Sequence, residues 1–112
     1  MVSPIALIES AQLPNAVATQ YTSPAKVSTI IKKLTLVNTD AAAGHAVTIY
    51  LVASGGAASA ANLLIDARAV GPLQTLDITE AVNQILNPGD FIAAFADTVA
   101  AVNIRASGVQ IA

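Results

Sequence analysis

The chain predicts an all-β fold, a single-domain sandwich of two antiparallel sheets with one short helix near residues 78–86. Three observations carry this. Two runs, Val27 to Asn38 and His45 to Ser54, are dominated by Val, Ile, Thr, Leu and Tyr, and in the second Val47, Ile49 and Leu51 alternate with Thr48 and Tyr50 at the period of a strand. Gly, Pro, Asn and Asp recur between the apolar runs as turn signals. Only one stretch has helical spacing. With 112 residues and no break in composition, the chain is expected to form one domain, with residues 1–14 as an N-terminal strand or arm and residues 15–112 as the sandwich.

Each element follows from local chemistry. Ile5 to Leu13 alternates weakly between Pro4 and Pro14, which suits an edge strand or an arm lying on a neighbour. Gln20 to Ser23 is held extended by Pro24, because the residue before a proline is pushed out of the helical region. The runs on either side of Thr39 to Gly44 are expected to pair with each other at the middle of the sandwich. Lys32 and Lys33 interrupt the first run, and a regular strand aims them in opposite directions. A β-bulge, or a lysine leaning to the rim, resolves this, and the functional alternative is a lysine facing an acidic patch on a partner.

Ser54 to Ala61 reads as a flexible loop; it lacks the helix N-terminus and the lysine that a phosphate-binding loop needs. Leu63 to Val70 alternates, with Asp66 and Arg68 expected side by side on its outer face. Gly71-Pro72 turns the chain into Leu73 to Ile78. Ile78, Val82, Ile85 and Leu86 fall at i, i+4, i+7 and i+8, and Asp77 with Glu80 resembles a capping box, so two helical turns are expected before Asn87-Pro88-Gly89-Asp90. Phe91 to Ala96 and Val99 to Ser107 are expected as a closing hairpin around Asp97-Thr98.

Composition narrows the function. Hydrophobic residues make up 54%, but twenty-four of them are Ala, so a core of this size leaves little stability in reserve and association with copies of itself or a partner is expected. Charged residues are 11%, against about 25% in an ordinary soluble domain. With net charge −2 and five scattered basic residues, no footprint for nucleic acid or anionic lipid is present. The uncharged stretch from Ala41 to Ile65 is broken by glycines and polar residues, which argues against a membrane span. The N-terminus has no basic region and reaches Glu9 early, unlike a signal peptide.

Catalytic chemistry is not expected. Without cysteine there are no disulfides, thiolate metal sites or Cys nucleophiles. His45 is the lone histidine, and nothing in the spacing places a carboxylate beside it. Most of the seven acids sit at turns or helix starts, and no Trp is present to form a sugar platform for a two-carboxylate glycosidase. No hydrolase, zincin, EF-hand or nucleotide motif occurs. The expected cofactor and metal complement is none.

Several blocks in order resemble the small head-decoration, or cement, proteins and related virion proteins of tailed bacteriophages. They are Gln20-Tyr21-Thr22 with Pro24; Ile30 to Asn38; Val47 to Val52 followed by Ser54-Gly55-Gly56; Leu86 with Pro88-Gly89-Asp90; and Val102-Asn103-Ile104 leading to Ser107-Gly108. The resemblance implies a jelly-roll-like sandwich, dimeric or trimeric and without catalytic residues. Such a protein is made in the host cytoplasm and seated on the outer capsid surface of the virion, where it bridges major capsid protein subunits. Ile5 and Leu7, where residues 2–13 form an arm that adds a strand to a neighbour rather than an ordinary edge strand, and Lys32, Lys33 and Tyr50 are the candidate partner contacts. The alternative is a receptor- or carbohydrate-binding sandwich of a tail fibre, with Tyr21 or Tyr50 stacking on sugar. Pro88-Gly89-Asp90 also resembles a cupin turn, but the histidines and glutamate of a cupin metal site are missing.

Overall fold

The computed structural model describes residues 2–112. Nine strands form two antiparallel sheets: β1 Val2–Gln12, β2 Ala18–Thr22, β3 Ser28–Asn38, β4 His45–Val52, β5 Leu63–Val70, β6 Thr75–Asp77, β7 Ile85–Leu86, β8 Phe91–Ala96 and β9 Val102–Ile111. The first sheet runs β1-β9-β3-β6, with β7 also pairing β3, and the second runs β2-β8-β4-β5. This strand order is that of a jelly roll, in which the chain crosses repeatedly from one sheet to the other.

The crossing corrects two expectations. β3 and β4 do not pair with each other; they lie in opposite sheets, and residues 39–44 carry the chain over one end of the sandwich. Likewise β8 and β9 are not a hairpin, since β8 pairs β2 and β4 while β9 pairs β1 and β3. Among the consecutive strands only β4 and β5 are hydrogen-bonded neighbours in one sheet. The reason is burial. Val47, Ile49 and Ile92 face across to Ile31, Leu34, Leu36 and Ile104, all in one fully buried cluster, and two sheets cover that surface where one cannot.

Periodicity does set the faces. In β3, Ile31, Leu34 and Leu36 are buried while Lys32 and Lys33 are exposed. Ile31 pairs Gly108 and Lys33 pairs Ser107, so Lys32 is the extra residue of a β-bulge. The bulge turns both lysines outward without turning their apolar neighbours out of the core.

The expected two-turn helix is reduced to a single 3-10 turn at Thr79–Ala81. Its residues answer to the edge of β3. Ile78 N–H donates to Leu34 O, Asn83 N–H to Ile31 O, and Ile31 N–H to Gln84 O. These bonds satisfy a strand edge that a helix would leave bare, and a helix of two turns is marginal by itself. Ile78, Ala81 and Leu86 enter the core, whereas Val82 and Ile85, expected on the same face, are 41% and 60% exposed. Asp77 caps nothing; it accepts from Thr35 Oγ1 at 3.0 Å. In β5 a register shift with Ala67 at φ 47 displaces Arg68, which pairs with Glu80 rather than standing beside Asp66.

Candidate functional site

The two outer faces of the sandwich differ in chemistry. In the second sheet Val47, Ile49 and Leu51 of β4 pair with Ala96, Ala94 and Ile92 of β8 and look into the core. The alternate pairs, Thr48 with Phe95, Tyr50 with Ala93 and Val52 with Phe91, lie on the opposite face, where Thr48, Val52 and Ala93 are buried and the three rings are half-buried. Three of the four aromatic residues, Tyr50, Phe91 and Phe95, thus stand on this face, each half-buried. β2, β4 and β8 contain no Asp, Glu, Lys or Arg. The outer face of the first sheet instead carries Lys33, Thr35, Arg105 and Ser107.

The sequence-predicted contact residues scatter over the molecule. Tyr50 is on the uncharged face. Lys32 and Lys33 are exposed on the first sheet, where Lys32 Nζ donates to Asn83 Oδ1 at 3.0 Å and Lys33 Nζ lies 3.9 Å from Asp77 Oδ2. Leu7 belongs to the buried core and Ile5 packs against it, so both serve the sandwich's own interior. Tyr21 also turns inward. Its hydroxyl meets Thr29 Oγ1 at 3.1 Å and accepts from Gln110 Nε2 at 2.8 Å, and Ser23 Oγ lies 2.9 Å from Thr29 Oγ1, a polar link between the two sheets.

The structure brings together three residues that the sequence kept apart. His45, at the start of β4 with a side chain 9% exposed, has Nδ1 2.7 Å from Asp97 Oδ1 and Nε2 2.9 Å from Asp40 Oδ2. Carboxylates only accept, so a ring with both nitrogens so engaged is held in its doubly protonated form. The hydrogen bonds that the ring donates to Asp40 and then to Asp97 raise the His45 pKa against the opposing effect of burial. The Ala42 N–H, followed by the His45 ring, lowers that of Asp40. For Asp97 burial acts upward, but the Ala46 N–H and the imidazolium together outweigh it and the net shift is down. Asp40 lies in the β3–β4 connection and Asp97 in the β8–β9 connection, so the imidazolium clasps two crossing loops at one end of the sandwich. Fifty-two residues separate His45 from Asp97, and only the sheet crossing makes them neighbours.

With both nitrogens occupied, His45 has no free lone pair for a metal or a substrate proton. Among the described residues no group of three or more His, Cys, Asp or Glu is set to hold a metal ion, and no helix is long and apolar enough to cross a membrane.

No family model matches the chain, and no curated protein does. Among solved structures the chain is similar to one of the infectious bursal disease virus Gx strain, at 16% identity and a TM-score of 0.41, over 98% of this chain and 31% of that one. It is similar also to the VP2 subviral particle of infectious bursal disease virus, at 17% identity and a TM-score of 0.37, again over 98% of this chain and 31% of that one. The chain spans about a third of the length of the chains it matches.

Proposed function

We propose that this protein is a non-enzymatic virion component that acts by adhesion, as a cement or decoration protein of a tailed bacteriophage head. In this reading it sits on the outer capsid surface and bridges major capsid protein subunits as a homodimer or homotrimer. The observation that carries the reading is the outer face of the second sheet, where β2, β4 and β8 present no Asp, Glu, Lys or Arg and bear Tyr50, Phe91 and Phe95, with Asp66 and Arg68 set apart on the edge strand β5. Aromatic residues with few charges around them are the composition of an interface centre. A standard interface covers about 800 Å² on each partner. The jelly roll has extents of 44 × 27 × 19 Å, so one broad face accommodates that area.

The mechanism is mechanical. Packaged DNA pushes a shell outward, and the shell fails where subunits meet. A rigid sandwich seated over a junction adds buried surface that must be exposed before the junction opens, and lattice symmetry repeats the gain at every junction. A bridge needs two contact surfaces, and the uncharged face and the opposite polar face supply two of different chemistry.

The test is co-sedimentation of the purified protein with undecorated heads assembled from the major capsid protein of the same phage. Binding that is lost in Tyr50→Lys and Phe95→Lys variants, whose thermal unfolding stays close to that of the parent, is the expected result. A protein that stays in the supernatant at all concentrations overturns the reading. The tail-fibre alternative draws on the same three rings as a sugar-stacking surface. It predicts selective glycan-array binding by the isolated domain, which the cement reading does not.

A further inference from the structure

The outer face of the first sheet contains a hollow of about 300 Å³, lined by Ala6 of β1, Lys33 and Thr35 of β3, and Arg105, Ala106 and Ser107 of β9. Ala6, opposite Ser107, leaves this side of the depression open, and the two long cations stand around it. Lys33 is paired with Ser107 and Thr35 with Arg105. The cations are therefore diagonal neighbours on adjoining strands, a spacing of about 7–8 Å that long side chains close easily.

Their charge is poorly answered within the chain. Lys33 reaches only Asp77, at 3.9 Å with both side chains more than half exposed, and the other Asp77 oxygen accepts from Thr35. Arg105 forms no ion pair among the described residues. Glu9 lies in the segment of β1 between Ile8 and Ala11 that passes Arg105, and it too forms none. A chain of net charge −2 with only five basic residues thus places two of them together, one an unpaired planar guanidinium.

We infer that this hollow receives an acidic side chain, Asp or Glu, of a partner protein. Arg105 offers the forked pair of N–H donors that matches a carboxylate, Lys33 adds a second cation, and the Ser107 hydroxyl can donate from the same face. In open water such a contact is weak. Beneath a partner that excludes solvent it fixes orientation and rejects surfaces lacking the acid. The inference rests on the proposed virion role only in taking the carboxylate from a protein; the recognition itself stands on these side chains.

The experiment is an amide NMR titration of the full chain at low ionic strength with a capped Glu-Glu peptide, and separately with inorganic phosphate. Shifts confined to Lys33, Thr35, Arg105 and Ser107 are expected with the peptide. Arg105→Gln and Lys33→Gln should each weaken binding by about fivefold, while Lys26→Gln leaves it unchanged. Shifts spread over the surface, shifts indifferent to both variants, no shifts, or phosphate matching the peptide at equal concentration would each overturn the assignment. Both variants alter exposed side chains, and their melting curves verify folding. Failure of the virion role looks different: the peptide still shifts the hollow while the protein does not sediment with heads.

Discussion

Gly108 is the position at which one methyl group should do most damage. It lies in β9 opposite Ile31 of β3 and Ile5 of β1, and a Cβ built there falls 2.2 Å from the backbone oxygen of Ile30 and 3.0 Å from Leu7 Cδ1. Carbon–oxygen contacts between neighbouring strands settle near 3.3 Å, so Gly108→Ala must open the β3–β9 seam by about 1.1 Å. Leu7 can rotate, but the Ile30 carbonyl is backbone and cannot yield without its strand. Losing about two ladder hydrogen bonds at ~1 kcal/mol each, with overpacking of about 1–3 kcal/mol, gives a destabilisation of roughly 3–5 kcal/mol. Against a total of about 5–15 kcal/mol, the melting point should fall by roughly 13–21 °C. Urea unfolding followed by far-UV circular dichroism measures this. Gly55→Ala is the control, since its added carbon meets nothing within 4 Å and only its φ of +80 is unfavourable, a cost of about 1 kcal/mol. If the Gly108 variant costs no more than the control at an unchanged m-value, the close approach of β3 and β9 is wrong.

Three further outcomes are expected. His45 has its pKa raised above 6.5, so its clasp contributes fully below that pH and fades as pH rises through the folded value; Asp40 and Asp97, both lowered from 3.8, contribute above that pH and fade as it falls. Melting temperature should therefore be highest between about pH 4 and 6.5 and decline above it in the parent, and a His45→Gln variant that declines equally on the alkaline side rules the clasp out. Leu73 occupies the third position of the Gly71-Pro72-Leu73-Gln74 turn at φ 56 and is 64% exposed, whereas the similar Asn87-Pro88-Gly89-Asp90 turn has a glycine there. Leu73→Gly should stabilise the fold by about 1 kcal/mol in the same urea assay, and a loss of stability refutes the strained-turn reading. Buried Asn38 donates to Ala43 O and Val70 O and accepts from Asp40 N–H, so Asn38→Ala should cost about 2–3 kcal/mol by leaving those groups unpaired, with a cost below that of an exposed alanine substitution as the contrary result.

What the sequence made legible was facing, and what it hid was neighbourhood. Alternation along β4 correctly separated Val47 and Ile49 from Thr48 and Tyr50, and the adjacent lysines of β3 announced a bulge. Both are properties of one strand. The partner of a strand is a property of the whole chain, and residues 39–44 have the length and composition of a hairpin loop although they bridge two sheets. For the same reason the site at His45 was invisible: Asp40 is near in sequence but Asp97 arrives through the crossing. Ile78, Val82, Ile85 and Leu86 matched a helical period because four positions are easily matched by chance, and the unpaired edge of β3 was the stronger claim on that segment.

The order in which strands appear along the chain has a consequence for its synthesis. β9 is an inner strand of the first sheet, between β1 and β3, and β8 is an inner strand of the second, between β2 and β4. β1 has no sheet partner until β9 is made, and β2 has none until β8 is. Until residues 91–111 have emerged, β1 and β3 have nothing between them, and neither do β2 and β4, so neither layer can close before its inner strand arrives. Folding is then late and slow for its size because nearly all the pairing joins distant parts of the chain, and removal of β9 should leave loose edges that aggregate rather than a smaller working domain.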